Sequence, residues 1–197
     1  MVSEMKFDAR WLLNRLKENV TWGKYNDAYK NNTEFTEIIT DEIRDIIMNA
    51  GFGVSKEYLR IDVTGWRDKK EEVSEKCKKV DMNPHLWDLH IAVEHENDKK
   101  DWYDELIKLM HIRCPLKVII SYADHETRDN AEQGDTAKLS IAADLIKKTI
   151  AYSNAESSHE EIMIILGNGG KGCEDIGYRG YLFDYTNSKF LRIENMQ

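Results

Sequence analysis

Residues 89–97, LHIAVEHEN, narrow what this chain can become more than any other stretch. Leu89, Ile91 and Val93 alternate with His90, Ala92 and Glu94, and period-two alternation specifies a β-strand. Side chains at i and i+2 share a face, roughly 6.5 Å apart along the strand. Glu94 and Glu96 are therefore expected to project together, with Ala92 and His90 below them. Leu89, Ile91, Val93 and His95 are expected on the other face. Two carboxylates converging at the end of an apolar strand are costly unless a cation, a proton or water accompanies them.

The flanking sequence supplies partners for such a strand. Residues 7–22 read as a helix on Trp11, Leu12 and Leu16, and residues 33–50 as a second, with Thr33 as N-cap and Gly51 as its stop. At 100° per residue, Phe35, Ile38, Ile39, Ile43, Ile46, Ile47 and Ala50 cover one wide face of the second helix. Glu42 falls inside that face in angle, so it either snorkels from the edge or points into a polar pocket beside a sheet. Residues 51–55 suggest a short strand. Residues 58–66, YLRIDVTGW, read as a strand with Leu59, Ile61 and Val63 on one face and Arg60, Asp62 and Thr64 on the other. Residues 98–112 read as a helix on Trp102, Leu106, Leu109 and Met110. Residues 116–122, LKVIISY, are nearly continuous apolar sequence, as in a central strand covered on both faces. Strand, helix and strand in that order favour a parallel crossover. A polar loop over 123–136, a helix over 137–153, a strand over 161–167 and a hairpin formed by 178–185 and 190–193 complete the chain.

The fold expected is α/β: one domain over residues 1–197, with a mixed central β-sheet flanked by helices. No internal repeat or low-complexity linker divides it. A length of 197 residues, 41% apolar content and 32% charge fit a globular protein with a real core. The net charge of −8 confines any polyanion site to a local basic patch. Residues 67–79 are the most basic stretch, with six basic residues against four acidic ones; Lys69 and Lys70 lie in it. Such a run is either a solvated surface or a backbone-holding patch. Cys77, Cys114 and Cys173 form no CxxC pair, which argues against a zinc site or a disulfide framework and suits a reducing compartment. No apolar run approaches the ~20 residues of a membrane span, and the first residues carry no secretory signal. The cytoplasm is the expected location.

Asp62 on one strand and Glu94 with Glu96 on a later one are the main constellation. If those strands pair, three carboxylates meet on one face. Hard oxygens so arranged suit Mg²⁺ or Mn²⁺, and such a cation can activate water and neutralise charge on a phosphodiester. An acidic, solvated sheet surface is the competing reading. His90 shares the expected Glu94 face and is a candidate substrate contact, whereas His95 is expected in the core. The glycine-rich 167–172 lacks phosphate-loop spacing and reads as a turn. Cys114 reads as a buried thiol.

Helix, Asp on a strand, Glu-x-Glu ending the next strand, helix and apolar strand together resemble the PD-(D/E)XK nuclease superfamily. The resemblance covers residues 33–122. It implies a restriction-endonuclease-like core (αβββαβ), with residues 123–197 as an extension adding a helix, a strand and a β-hairpin. It implies metal binding by Asp62 and Glu94, and it maps a supporting carboxylate from the first core helix to Glu42. The motif lysine falls at Glu96, where the chain departs from the usual pattern; Glu96 is left to act as a base or to hold a second cation. Lys99 and Lys100 are close enough in sequence to replace the missing charge, and Lys108 is nearly two helical turns further on. The activity implied is metal-dependent cleavage of DNA, and cutting both strands would call for two sites, as in a homodimer. The net charge and the absent lysine equally fit a catalytically inactive binding module in a larger repair or defence assembly. A third reading makes the terminal hairpin a strand-pairing surface for a partner.

Overall fold

A computed structural model of the chain describes residues 7–25, 31–68, 79–80, 87–98, 102–124, 131–153, 160–169 and 175–196. The elements are helices α1 (Ala9–Asn19), α2 (Trp22–Tyr25), α3 (Asn32–Asn49), α4 (Trp102–Met110) and α5 (Ala131–Ser153). The strands are β1 (Gly53–Tyr58), β2 (Ile61–Asp68), β3 (Trp87–His95), β4 (Leu116–Asp124), β5 (Glu161–Gly169), β6 (Arg179–Asp184) and β7 (Lys189–Arg192). They form one mixed seven-stranded sheet in sequential order. β1–β2–β3 is an antiparallel meander, β3–β4 and β4–β5 are parallel, and β5–β6–β7 is antiparallel again.

The apolar pattern explains the layering. Val63, Ile91, Val93, Val118, Ile120, Met163 and Ile165 pack under Leu12, Leu16, Phe35, Ile39, Ile43 and Ile47 of α1 and α3. Ala92, Ile119, Ile162, Ile164 and Leu166 on the opposite face pack under Trp102, Leu106 and Leu109 of α4 and Ala142 and Ile146 of α5. Both parallel crossovers step the same way across the sheet, so a single handedness places both of their helices on one face. No helix among the described residues is long and apolar enough to cross a membrane.

Several local expectations change. The α3 cap is Asn31, whose side chain accepts the Thr33 N–H, so Thr33 lies inside the helix. Residues 58–66 are not one strand. Leu59 and Arg60 take left-handed conformations, φ 54° and 63°, and turn the chain between β1 and β2. Neither is a residue type that advertises such a turn, which usually carries Asn or Gly. The loop expected over 123–136 is shorter, because β4 continues to Asp124 and α5 begins at Ala131. Lys69, Lys70, Lys99 and Lys100 lie outside the described residues.

The largest correction concerns β3. Gly65 pairs with Ile91 and Trp66 with Leu89, so His90 is the extra residue of a β-bulge. The bulge breaks the strict alternation. His90 meets Phe52 in a tilted ring contact, 5.6 Å between ring centres, on the α1–α3 side. Leu89 instead packs with the α4–α5 cluster, on the face of Ala92. His90 is therefore withdrawn from the Glu94 face, and Leu89 from the face of Ile91 and Val93.

Candidate active site

Val63 and Val93 are the last ladder partners of β2 and β3 before the strand ends. The next residues in that register are Asp62 and Glu94. Here side chains replace the backbone ladder. Asp62 Oδ2 accepts the His95 N–H at 2.7 Å, and Glu94 Oε2 accepts the Asp62 N–H at 3.3 Å. Two carboxylates thus splice the strand ends, and each is fixed by the other's strand. The β1 register places Glu57 opposite Asp62 by the same step, between Lys56↔Val63 and Tyr58↔Ile61. Three acidic residues form a row across three adjacent strands. Like charges opposite one another destabilise a sheet, so the row costs stability that a polar or apolar neighbour would not.

Glu94 is the most constrained member, with 1% of its surface exposed. Lys108 of α4 reaches over it: Nζ lies 2.7 Å from Glu94 Oε1, pairs with Glu105, and donates to the Arg60 carbonyl at 2.7 Å. The approach to Oε1 is an ion-pair contact outside hydrogen-bond angles, so this buried oxygen has no aligned donor among the described residues. Burial, together with Asp62 and Glu105, pushes the Glu94 carboxyl up to about 8 against the pull of Lys108. Burial also raises Asp62, opposed by the His95 amide and reinforced by Glu57. For Lys108, burial works downward, but its contacts with Glu105 and Glu94 leave the ammonium above its usual value.

Glu96 follows the end of β3. It is half-buried, its N–H donates to Ile120 O at 2.9 Å, and its Oε1 turns back to accept the Asp98 N–H at 2.6 Å. Burial and the nearby Glu105, Asp98 and Asp62 raise its carboxyl. Glu42 is half-buried on α3, whose apolar stripe packs against the opposite face of the sheet from Glu94. Behind the acids, His95 is in the core as expected. Its Nε2 meets Tyr122 OH at 2.9 Å, Tyr122 OH meets Tyr178 OH at 2.9 Å, and burial drives the imidazole down to about 3. Cys114 is a buried thiol, pushed up to about 12 by burial.

Glu57 and Glu105 are not among the residues expected from the sequence, and Lys108 was expected only behind Lys99 and Lys100. One signal was present: Glu105 and Lys108 stand three apart beside the Trp102–Leu106–Leu109 stripe, a spacing at which helix side chains meet. A second polar cluster is also absent from the sequence-based expectations. Asp135 of α5 is 1% exposed and takes Arg179 Nε at 2.6 Å, Arg179 Nη2 at 3.2 Å and Tyr181 OH at 2.6 Å. Arg179 Nη1 also donates to Asn168 Oδ1 and Gly177 O. Every charge in that cluster is answered, so it fastens α5 to β5 and β6 rather than offering a vacant donor or acceptor. An open cleft of about 410 Å³ lies nearby, between α5 and the β6–β7 hairpin, away from the acidic row.

No three His, Cys, Asp or Glu side chains are gathered as a metal cage among the described residues. Magnesium characteristically uses one or two carboxylates, keeps several waters and shares substrate phosphate oxygens. The Asp62–Glu94 pair fits that donor set. No protein-family model matches the chain, and no curated protein has significant sequence similarity to it.

Proposed function

We propose that this protein hydrolyses phosphodiester bonds of DNA, with a Mg²⁺ or Mn²⁺ ion held by Asp62 and Glu94. The observation that carries the reading is the buried Glu94 carboxylate, set among Asp62 and Glu105 with Lys108 as the cation in contact. A divalent cation would take the place of the proton that Glu94 otherwise holds up to about pH 8, and when bound it would supply Lewis acidity and an acidified water. The order α3, β1, β2, β3, α4, β4, with the Asp on the second strand and the Glu on the third, supports a restriction-endonuclease-like core.

The chain's own residues take these roles. The cross-strand hydrogen bonds hold Asp62 and Glu94 side by side at the end of β2 and β3, where together they would hold the ion. Lys108 supplies the charge missing at Glu96. It neutralises Glu94 and can donate to an attacking water or a phosphate oxygen. Glu96, with its raised carboxyl, can accept a proton at the edge of the site. The basic residues of 67–79 would hold the nucleic-acid backbone.

A Mg²⁺- or Mn²⁺-dependent plasmid cleavage assay tests this. Cleavage by the native protein should fall on the order of 100-fold or more in Asp62→Asn, Glu94→Gln and Lys108→Met. Native-level cleavage by the first two variants would overturn the site. The Lys108–Glu94 contact also favours a second reading, a nuclease-like binding module in which the lysine stands in for the ion. That module would bind DNA without cutting it.

A further inference from the structure

The hairpin tip immediately before Asp62 is built against ordinary preferences. Glu57, Leu59 and Arg60 all have left-handed backbones, with φ of 58°, 54° and 63°. Such conformations are costly for residues with a side chain, and most so for bulky ones without a local hydrogen bond. Leu59 is also 68% exposed, the most exposed large apolar side chain among the described residues, and it belongs to neither core cluster. Asparagine or glycine would fit the turn better and would not present an isobutyl group to water. The tip is nonetheless held in place. Lys108 donates to Arg60 O while contacting Glu94, and Tyr58 packs edge-on against Trp87 at 5.4 Å. One lysine therefore ties the protruding leucine to the acidic site.

We propose that the β1–β2 tip inserts Leu59 between stacked bases of duplex DNA, with Arg60 on the flanking phosphate. The inference rests on the nuclease reading and adds how that site engages its substrate. Leu59 is three residues from Asp62, a span of at most about 10 Å, or about three base steps. Apolar wedges of this size open base steps in other DNA-bending proteins. A wedge also lets a chain of net charge −8 grip DNA with little general electrostatic attraction. One exposed leucine is too small to found a stable protein interface, which needs about 800 Å² per partner; this favours the base stack over a protein.

The test uses a duplex carrying 2-aminopurine at successive positions around a mapped cleavage site, with Ca²⁺ replacing Mg²⁺ during the fluorescence readings. The native protein should brighten one position severalfold as that base unstacks. Leu59→Gly, which suits the left-handed turn, should keep or raise the melting temperature yet lose the fluorescence change. Its Mg²⁺-dependent cleavage of matched duplex should fall about tenfold or more. Cleavage should recover on a duplex mismatched at the brightened step, and Leu59→Met should retain both signals. If the native protein neither binds nor cuts DNA, the nuclease reading fails and the wedge with it. If the native protein cuts and Leu59→Gly matches it in fluorescence and rate, the wedge alone is overturned. Unchanged cleavage with a reduced oligomeric mass in Leu59→Gly would likewise overturn it, assigning Leu59 to a protein contact.

Discussion

Replacing Glu94 with Gln should change how stability responds to pH in a defined window. In metal-free protein, Glu94 holds its proton up to about pH 8, whereas in the unfolded chain it titrates near 4.5. Between those values the folded state binds more protons, so this group's contribution, complete below pH 4.5, drains away as pH rises to 8. His95 acts with the opposite sign. It stays neutral in the fold down to about pH 3 but protonates near 6.5 when unfolded, so its contribution is lost as pH falls below 6.5. The two slopes oppose each other between 4.5 and 6.5, and from 6.5 to 8 the fall due to Glu94 stands alone. That window is worth about 2 kcal/mol at ~1.36 kcal/mol per unit, or about 4–8 °C in melting temperature for a chain of this size. Thermal unfolding followed by circular dichroism in EDTA should show the native protein losing stability from pH 6.5 to 8. Glu94→Gln should lose markedly less. Parallel profiles for the two proteins, or a native profile that rises with pH, would refute the reasoning.

Other perturbations have equally definite outcomes. Asp135→Ala strands the buried Arg179 guanidinium and should cost about 3–5 kcal/mol in urea unfolding; a cost under about 1 kcal/mol would mean that the cluster does not fasten α5. Tyr122→Phe leaves His95 Nε2 and Tyr178 OH without their shared partner and should cost about 1–3 kcal/mol by the same method. Leu59→Gly should stabilise the metal-free protein by about 1 kcal/mol, since it removes a left-handed leucine from the turn; a loss of stability would show that the side chain packs.

The sheet centre was legible because β3, β4 and β5 are buried by a simple pattern. Alternation marks one and a continuous apolar run another, and parallel pairing follows from the helix between them. That Asp62 and Glu94 would come close depended on their strands pairing, which alternation alone does not decide; the antiparallel register of β2 and β3 supplies it. What escaped is what sequence encodes poorly. No Asn-Gly pair announces the turn at Leu59 and Arg60, and nothing in LHIAVEHEN marks His90 as a bulge. Both are decided by the neighbouring strands: the turn by the pairing of Tyr58 with Ile61, the bulge by the step between Gly65 and Trp66. Lys108 was passed over because distance along the chain stood in for distance in space. The crossover of α4 folds it back above Glu94. Asp135 was hidden within an expected loop, and its partner Arg179 lies 44 residues further on.

If Asp62 and Glu94 together hold one divalent cation, electron paramagnetic resonance at pH 8 should detect bound Mn²⁺. One Mn²⁺ should bind per chain, displaced by Mg²⁺ and abolished by either Asp62→Asn or Glu94→Gln. Binding should be tighter in Lys108→Met, where the competing ammonium is gone from Glu94 Oε1. No bound Mn²⁺ in the native protein, or unchanged binding in both carboxylate variants, would contradict the shared site.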